Sequence, residues 1–235
     1  MSQVAIVIPV YDHADALGRT LEALRQQTFK DIEIVIVDDA SHDRPDKVVK
    51  RFTDLPIRFI TWSENRGAPA ARNEGARLTS APYLVFLDAD ASLTPGAVAR
   101  MATALGSRAD VDFVYSDFYW GSKAFRGRTF DPAALRQGNY IHTSSMLRRS
   151  AFPGFDESIK RFQDWDLWLT MTEKGSKGLW IDEFLFTIEP RKTGGISEWM
   201  PKFMYKLPWN LIGWMPDGIK KYRSAEQVIR TKHKL

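Results

Sequence analysis

No cysteine occurs in the 235 residues, which excludes disulfide bonds and thiolate metal sites. Long apolar runs are also missing, and none reaches the roughly 18 residues that a membrane-spanning helix needs. The first residues contain no basic segment followed by an apolar one, so we expect no signal peptide. Together these absences suit a reducing compartment. We therefore expect a cytoplasmic protein, either free or at the inner face of the membrane.

Two common phosphate-binding motifs are absent as well. The first apolar segment is not followed by G-x-G-x-x-G, and G-x-x-x-x-G-K-[ST] occurs nowhere in the chain. The usual dinucleotide and P-loop cradles are therefore excluded. A nucleotide can still be held by carboxylates and a metal ion, with Arg72 as a phosphate or base partner.

Positive charge is concentrated towards one end of the chain. Residues 191–235 contain ten Lys and Arg against three Asp and Glu, a net charge of +7, whereas the whole chain carries +4. Trp, Phe and Tyr alternate with lysines in this segment. One interpretation is a peripheral membrane anchor. The other is a strap whose aromatic side chains pack on the domain or on a second subunit of a homodimer. We expect no nucleic-acid partner.

Apolar segments that alternate with segments of helical periodicity predict a Rossmann-like α/β fold. A mostly parallel central sheet flanked by helices is expected. The predicted strands of the first half are 4–8, 32–37, 57–61 and 84–87. Further strands are predicted at 111–119, 145–148 and 179–188, and an aromatic helix at 165–174. Residues 121–138 are predicted to be a loop with one short helix.

The stretch 83–90 contains the strongest chemical signal. Its apolar run ends in Asp88 and Asp90, one residue apart. Open α/β sheets bind ligands at the carboxyl ends of their strands. Two carboxylates this close repel each other unless a cation or a donor-rich ligand lies between them. We expect Mg²⁺ or Mn²⁺ with substrate phosphates here, since both ions prefer hard oxygen ligands. Solvated or helix-capping aspartates are the alternative.

Five motifs, in this order, resemble the family 2 glycosyltransferases, which have the GT-A fold. They are residues 7–11, 36–41, 65–67 with 71–73, 86–90 and 163–169. The resemblance extends from residue 4 to about residue 188. It implies a GT-A domain over 1–190, with a nucleotide-sugar-binding half (1–90) and an acceptor and catalytic half (91–190). Residues 191–235 are a basic, Trp-rich extension.

The resemblance also assigns roles to individual residues. It implies that Asp39 contacts the nucleobase, that Asp88 contacts the ribose and that Asp90 helps to bind the metal. Asp164 is implied to be the catalytic base. The other residues predicted to border the nucleotide sugar are Pro9, Val10, Tyr11, Arg72 and Ala89.

Two positions depart from the family pattern. Gln163 stands where Glu is common, and Ala91 stands where a third Asp is frequent. Neither change removes a required carboxylate. His142 lies where acceptor-side residues are expected, although a hydrogen-bonded loop histidine is an equally good interpretation. Asp166 is expected to be structural.

We therefore expect an inverting, metal-dependent glycosyltransferase that uses a nucleoside diphosphate sugar, with UDP as the expected nucleotide. The acceptor is a hydroxyl of a saccharide or lipid-linked glycan in surface polysaccharide synthesis. The Q-x-x-R-W signature of processive synthases is absent, which favours single additions. Alternatives are a nucleotide-sugar-binding protein with weak catalysis and a nucleotidyltransferase. The presence of Asp90 and Asp164 disfavours the first, and residues 9–15 lack the basic Gly-rich loop expected of the second.

Overall fold

The computed structural model describes residues 2–189, 209 and 215–235. The strands in these ranges are β1 (Val4–Val10), β2 (Ile32–Asp38), β3 (Ile57–Thr61), β4 (Tyr83–Phe86), β5 (Ala91–Leu93), β6 (Phe113–Trp120), β7 (Lys123–Phe125), β8 (Met146–Arg148) and β9 (Gly178–Ile188). The helices are α1 (Ala14–Arg25), α2 (Pro45–Val49), α3 (Ala68–Arg77), α4 (Ala97–Gly106), α5 (Pro132–Gln137), α6 (Gln163–Glu173) and α7 (Asp217–Lys232). One sheet contains all of these strands in the order β3-β2-β1-β4-β8-β6-β9-β5, and β7 pairs with β6.

The first half of the sheet is the parallel array that the sequence predicts. β1 pairs in parallel with β2 and β4, and β2 pairs in parallel with β3. Ile6 and Ile8 pack with Leu17 of α1 on one face, whereas Ala5 and Val7 face the opposite way, towards α3 and α6. Both faces of β1 are therefore covered, which explains its continuous apolar run.

The second half of the sheet is mixed rather than parallel. β8 runs antiparallel to β4 and β6, and β5 runs antiparallel to β9, while β6 and β9 are parallel. The α/β class is confirmed, but parallel pairing is confined to the first four strands and the β6–β9 pair. β5 was not predicted, and β7 lies within the segment 121–138 that was predicted to be a loop with one short helix. With three residues each, both strands are too short to show an alternating pattern.

Close packing of α3 against β1 depends on Gly75. A Cβ atom added there would lie 2.2 Å from Cγ1 of Val7, which is fully buried. Alanine normally stabilises a helix by about 1 kcal/mol relative to glycine. At this position overpacking, which typically costs about 1–3 kcal/mol, should exceed that gain.

We therefore expect Gly75→Ala to lower the free energy of unfolding by about 1–2 kcal/mol, measured by urea denaturation. Gly96→Ala is the matched control, because no atom lies within 4 Å of the added Cβ there and its φ of −94° is open to any residue. Because Gly96 is the N-cap of α4, where alanine is less favourable than glycine, the control should lower the urea midpoint by less than Gly75→Ala does. A stabilised Gly75→Ala protein would show that α3 can move away from β1.

The described part of the C-terminal extension packs on the domain. Ile229 of α7 is fully buried in the cluster that contains Trp168 of α6. Nε2 of His233 lies 2.7 Å from Oδ1 of Asp166, and Lys232 contacts the same carboxylate at 2.8 Å. For residues 217–235 these contacts favour the strap over the membrane anchor. Most of the Trp-rich stretch, residues 190–208 and 210–214, lies outside the described residues.

Helices long and apolar enough to cross a membrane were sought in the described residues, and none was found.

Candidate active site

The first parallel strands bring their carboxyl ends to one edge of the sheet. Val10 at the end of β1 is paired with Asp38 at the end of β2, and β4 ends one residue before Leu87. The Leu87 amide N–H donates to the carbonyl of Val7, so the chain leaves β4 beside β1. This arrangement places Asp38, Asp39 and Asp88 along one edge, as the sequence predicts.

Arg72 joins the two halves of the site. Arg72 is 6% exposed, and its Nη2 donates to Oδ1 of Asp88 at 2.7 Å. Nη1 donates to Oε1 of Gln163, the first residue of α6, also at 2.7 Å. The ring of Phe155 lies 5.3 Å from the guanidinium carbon. Arg72 therefore connects the end of β4 to the beginning of α6. The sequence predicted Arg72 only as a partner of the nucleotide and did not predict this structural role.

Asp88 is held ionised by its neighbours. Burial acts to raise its pKa, but the opposing effects, of which the charge of Arg72 is the largest, outweigh burial and lower the pKa below its usual range. The carboxylate is therefore negatively charged at neutral pH. One of its oxygens, Oδ1, is already engaged by Arg72.

Asp164 lies in the first turn of α6, immediately after the residue that binds Arg72. Its Oδ2 accepts a hydrogen bond from Nδ2 of Asn139 at 2.7 Å, and its Oδ1 accepts one from the Trp165 amide at 2.9 Å. Burial raises the pKa of Asp164 above its usual range, although His142 and Arg72 oppose the rise. A carboxylate that binds a proton more readily than a solvated aspartate is suited to act as a general base.

His142 faces the same group of charges. Its Nδ1 accepts the amide N–H of Ser144 at 3.0 Å, which leaves the proton of the neutral ring on Nε2. Nε2 lies 3.8 Å from Oδ2 of Asp88, and the ring packs 5.1 Å from Phe118 and 5.2 Å from Phe186. Burial lowers the pKa of His142, although Asp88 and Asp164 oppose the change. His142 is thus a hydrogen-bonded neutral histidine at the site.

Asp39 is turned inwards. It is 2% exposed, and its two carboxylate oxygens accept the amide N–H groups of Arg66 at 2.6 Å and Gly67 at 2.8 Å. Burial raises its pKa, although these hydrogen bonds act in the opposite direction. In this structure Asp39 anchors the loop that leads into α3. Its implied contact with a nucleobase stays a prediction.

The other predicted donor-side residues frame the strand ends mainly through their backbone. The Val10 carbonyl accepts the amide of Asp39 at 2.8 Å, and the Ala89 carbonyl accepts Oγ1–H of Thr20 at 2.8 Å. Tyr11 is 42% exposed, and its ring lies edge-on to His42. Pro9 is partly buried at the end of β1. Tyr11 is therefore the side chain in this group that is best placed for an incoming ligand.

Asp88 and Asp90, the predicted metal ligands, are too few to form a complete coordination shell. Among the described residues, no three His, Asp or Glu side chains converge on one point. Asp90 is partly exposed, and its carbonyl accepts the amide of Glu189. Mg²⁺ and similar ions commonly use one or two protein carboxylates and take their remaining ligands from substrate phosphates and water. The residues present fit such an ion when a diphosphate is bound with it.

Asn139 is the residue at this site that sequence analysis missed as a functional candidate. Its side chain donates to Asp164, and its Oδ1 accepts the amide of Ile141 at 3.1 Å. Nothing in the sequence around Asn139, a loop residue three positions before His142, predicts that its side chain contacts a helix residue 25 positions further along the chain. Gln163 likewise has a contact that its sequence position does not predict, namely the hydrogen bond to Arg72.

Solved structures with the same fold include two proteins captured with a nucleotide or a nucleotide sugar. Residues 1–349 of TarS from S. aureus in complex with UDP superpose with a TM-score of 0.68 at 17% identity, covering 80% of this chain and 60% of that one. The mannosyltransferase PcManGT from Pyrobaculum calidifontis, with GDP-Man and Mn²⁺, gives a TM-score of 0.66 at 18% identity over 97% of this chain and 70% of that one. At these identities the match establishes the GT-A fold.

Sequence comparison establishes the family. The model described as "Glycosyl transferase family 2" matches residues 5–155, more than half of the chain. An uncharacterized glycosyltransferase of Bacillus subtilis, YwdF, is 32% identical over 184 residues, 71% of this chain and 67% of that protein. An Escherichia coli protein, the UDP-Glc:alpha-D-GlcNAc-diphosphoundecaprenol beta-1,3-glucosyltransferase WfaP, is 28% identical over 189 residues, 75% of this chain and 73% of that protein. The chain therefore belongs to glycosyltransferase family 2.

Proposed function

We propose that this enzyme is an inverting, metal-dependent, non-processive glycosyltransferase. It moves a sugar from a nucleoside diphosphate donor, a UDP-sugar, to a hydroxyl of a saccharide or lipid-linked acceptor in the synthesis of a surface glycan. The observation that carries the proposal is the position of Asp164: its neighbour Gln163 accepts a hydrogen bond from Arg72, and Arg72 also donates to Asp88. A candidate base and Asp88 at the end of β4 thus belong to one cluster.

In the proposed reaction Asp164 takes the proton of the acceptor hydroxyl while that oxygen forms a bond to the anomeric carbon. The bond from this carbon to the diphosphate oxygen breaks, and its electron pair leaves with the nucleoside diphosphate. A single displacement of this kind inverts the anomeric configuration. When bound by Asp90 and Asp88 together with the diphosphate, a divalent cation supplies charge stabilisation for the leaving group.

The contacts of Asp164 prepare it for this role. Asn139 and the Trp165 amide each bind one carboxylate oxygen, which fixes the plane of the carboxylate. Arg72 holds Gln163, so the first turn of α6 is tied to the donor side of the site. The base and the donor-binding carboxylates are therefore held in fixed relation before a substrate arrives, which lowers the cost of reaching the reactive geometry.

Relatives support the substrate classes. Solved complexes of the fold contain UDP in TarS and GDP-Man with Mn²⁺ in PcManGT. By its name, WfaP uses UDP-Glc and an acceptor that is linked to a lipid through a diphosphate. We extend the UDP-sugar donor and the lipid-linked acceptor to this chain as part of the proposal.

The proposal is tested by a screen of nucleotide sugars with Mn²⁺ and with EDTA. We expect UDP release from one UDP-sugar in the presence of the metal, accelerated by acceptor. Proton NMR of the product then gives the anomeric configuration. A product that retains the donor configuration would exclude the single displacement by Asp164.

The rate should depend on pH through Asp164. Since the reaction needs the ionised carboxylate and burial raises its pKa, kcat/KM should fall on acidification at a higher pH than it would with a solvated aspartate. The Asn139 hydrogen bond stabilises the anion, so Asn139→Ala should raise this pKa further and move the acid limb of the pH profile upwards.

A second variant separates this effect from damage to the loop. Asn139→Asp keeps a side-chain oxygen that can accept the Ile141 amide N–H. It replaces the NH₂ group that donates to Asp164 with a carboxylate oxygen, which places a second negative charge beside Asp164. Its acid limb should move upwards by more than that of Asn139→Ala. If both variants keep the wild-type limb, Asn139 does not tune the base.

A further inference from the structure

A basic groove lies between the loop that precedes α6 and the helix α7. Its volume is about 480 Å³, within the range of small-ligand sites. The cations on its walls are Lys160 and Arg161 from the loop and Lys220 and Lys221 from α7. Among the described residues that line it, none is acidic. Lys220 contacts Asp217 at 3.5 Å, so this aspartate offsets part of the charge of one of the four cations. The groove thus keeps a net positive charge.

The remaining lining of the groove is largely apolar. Val228 is 53% exposed there and is one of three large hydrophobic side chains exposed in the described part of the chain. Ile159 and Ala225 also line the groove, together with Ser158 and Ser224, and the Ser158 hydroxyl donates to Asp156 at 2.6 Å. Cations beside an exposed apolar surface match an anionic amphiphile, because a phosphate fits the cations and a hydrocarbon chain covers the apolar part.

The groove is connected to the catalytic helix. Nε2 of Gln163 donates to the carbonyl of Lys160 at 3.2 Å, and Oε1 of the same side chain binds Arg72. The ring of Phe162, which precedes α6, lies edge-on to Tyr222 of α7 at 5.0 Å. Arg161 stands three positions before the candidate base Asp164. A molecule in the groove therefore lies against the segment that begins the catalytic helix.

We propose that this groove binds the phosphate or diphosphate of the lipid that carries the acceptor. The phosphates lie among the four cations, and the first part of the hydrocarbon chain covers Val228. This inference rests on the proposed function, because it places the lipid carrier next to the helix that supplies the base. It also gives α7 a role in substrate binding besides its packing on α6.

Vesicle co-sedimentation without donor tests the site. The probes are phosphatidylcholine vesicles that contain a polyprenyl phosphate, the same vesicles with phosphatidylglycerol at equal charge, and phosphatidylcholine alone. We expect the strongest binding to the polyprenyl phosphate vesicles. Each cation near an anionic lipid is worth about fivefold in affinity, so Lys220→Ala/Lys221→Ala should weaken binding about 25-fold. Val228→Glu should also remove most of the binding, because it places a carboxylate among the cations.

Matched controls lie outside the groove. Lys174→Ala/Lys177→Ala makes the same change of charge at exposed positions just after the C-terminal end of α6. Gln227→Glu adds a carboxylate to an exposed position of α7 that does not line the groove. Both controls should bind vesicles as the wild type does. Circular dichroism should show that all variants are folded. Transfer to a soluble saccharide acceptor should be unchanged in the groove variants, whereas transfer to a lipid-linked acceptor should fall.

Several outcomes overturn the inference. Equal binding to phosphatidylglycerol vesicles means that α7 recognises an anionic surface and not the lipid carrier. If the groove variants bind vesicles as strongly as the wild type, the groove has another occupant. The same conclusion follows if they keep vesicle binding but change oligomeric state. Because vesicle binding is measured without a donor, failure of the proposed transferase activity leaves this test valid, and loss of the groove leaves the activity on soluble acceptors intact.

Discussion

Asp164→Asn should reduce sugar transfer by about 10² to 10⁴, the usual effect of losing a general base, while donor affinity stays near that of the wild type. The amide keeps the size of the side chain but accepts no proton at neutral pH. Rates are measured with saturating donor and acceptor, and UDP affinity is measured by calorimetry. Transfer within a few-fold of wild type would place the base elsewhere.

The same substitution two residues further on is a matched control. Asp166 lies on the same helix, but its carboxylate contacts Lys232 at 2.8 Å and His233 at 2.7 Å, on the side that packs against the C-terminal segment. Asp166→Asn should therefore lower stability and leave the chemical step largely intact. A large rate loss with Asp166→Asn and none with Asp164→Asn would reverse the two assignments.

Asp90→Ala should weaken Mn²⁺-dependent binding of UDP by more than about 100-fold. Loss of a residue that only supports a metal ligand typically lowers metal affinity by about 10- to 100-fold, and loss of a ligand itself should cost more. The reason is that the described residues offer no group of three ligands that would compensate for the lost carboxylate. Calorimetry of UDP with Mn²⁺ and with EDTA measures the effect without any need for turnover.

Asp110→Ala is a suitable control for this experiment. It removes an exposed carboxylate that contacts Arg108 at 2.9 Å, away from the strand ends, so UDP binding should not change. The wild-type protein should lose UDP affinity in EDTA to a similar extent as Asp90→Ala does in Mn²⁺. Unchanged affinity of the wild type in EDTA would show that donor binding needs no metal.

The parallel strands could be predicted because their residues are buried on both faces and give uninterrupted apolar runs. β1 and β4 are examples, since nearly all of their residues are buried. Short antiparallel strands such as β5 give no comparable pattern. The helix α7 was missed because Ile219 and Ile229 are its only buried residues, which leaves an apolar stripe too sparse to detect.

Residue identity at the site was more predictable than residue contacts. Asp88, Asp164 and Arg72 stand in recognisable motifs, and the structure brings them into one cluster. Their hydrogen-bond partners come from distant segments, since Arg72 and Gln163 are 91 positions apart in the chain. Asp39 shows the same limit, because sequence cannot tell that its carboxylate turns towards the amides of its own loop. Pairings of this kind are fixed by the packing of whole elements.

The first and last strands in the order of the sheet are edge strands, to which a strand of another molecule could be added. One end is β3, with five residues, and the other is β5, with three. Arg58 is the second residue of β3, and its side chain donates to the Leu78 carbonyl. Short strands and a charged side chain make poor templates for the addition of a foreign strand. The fold thus disfavours edge-to-edge aggregation through β3 and β5 at high concentration.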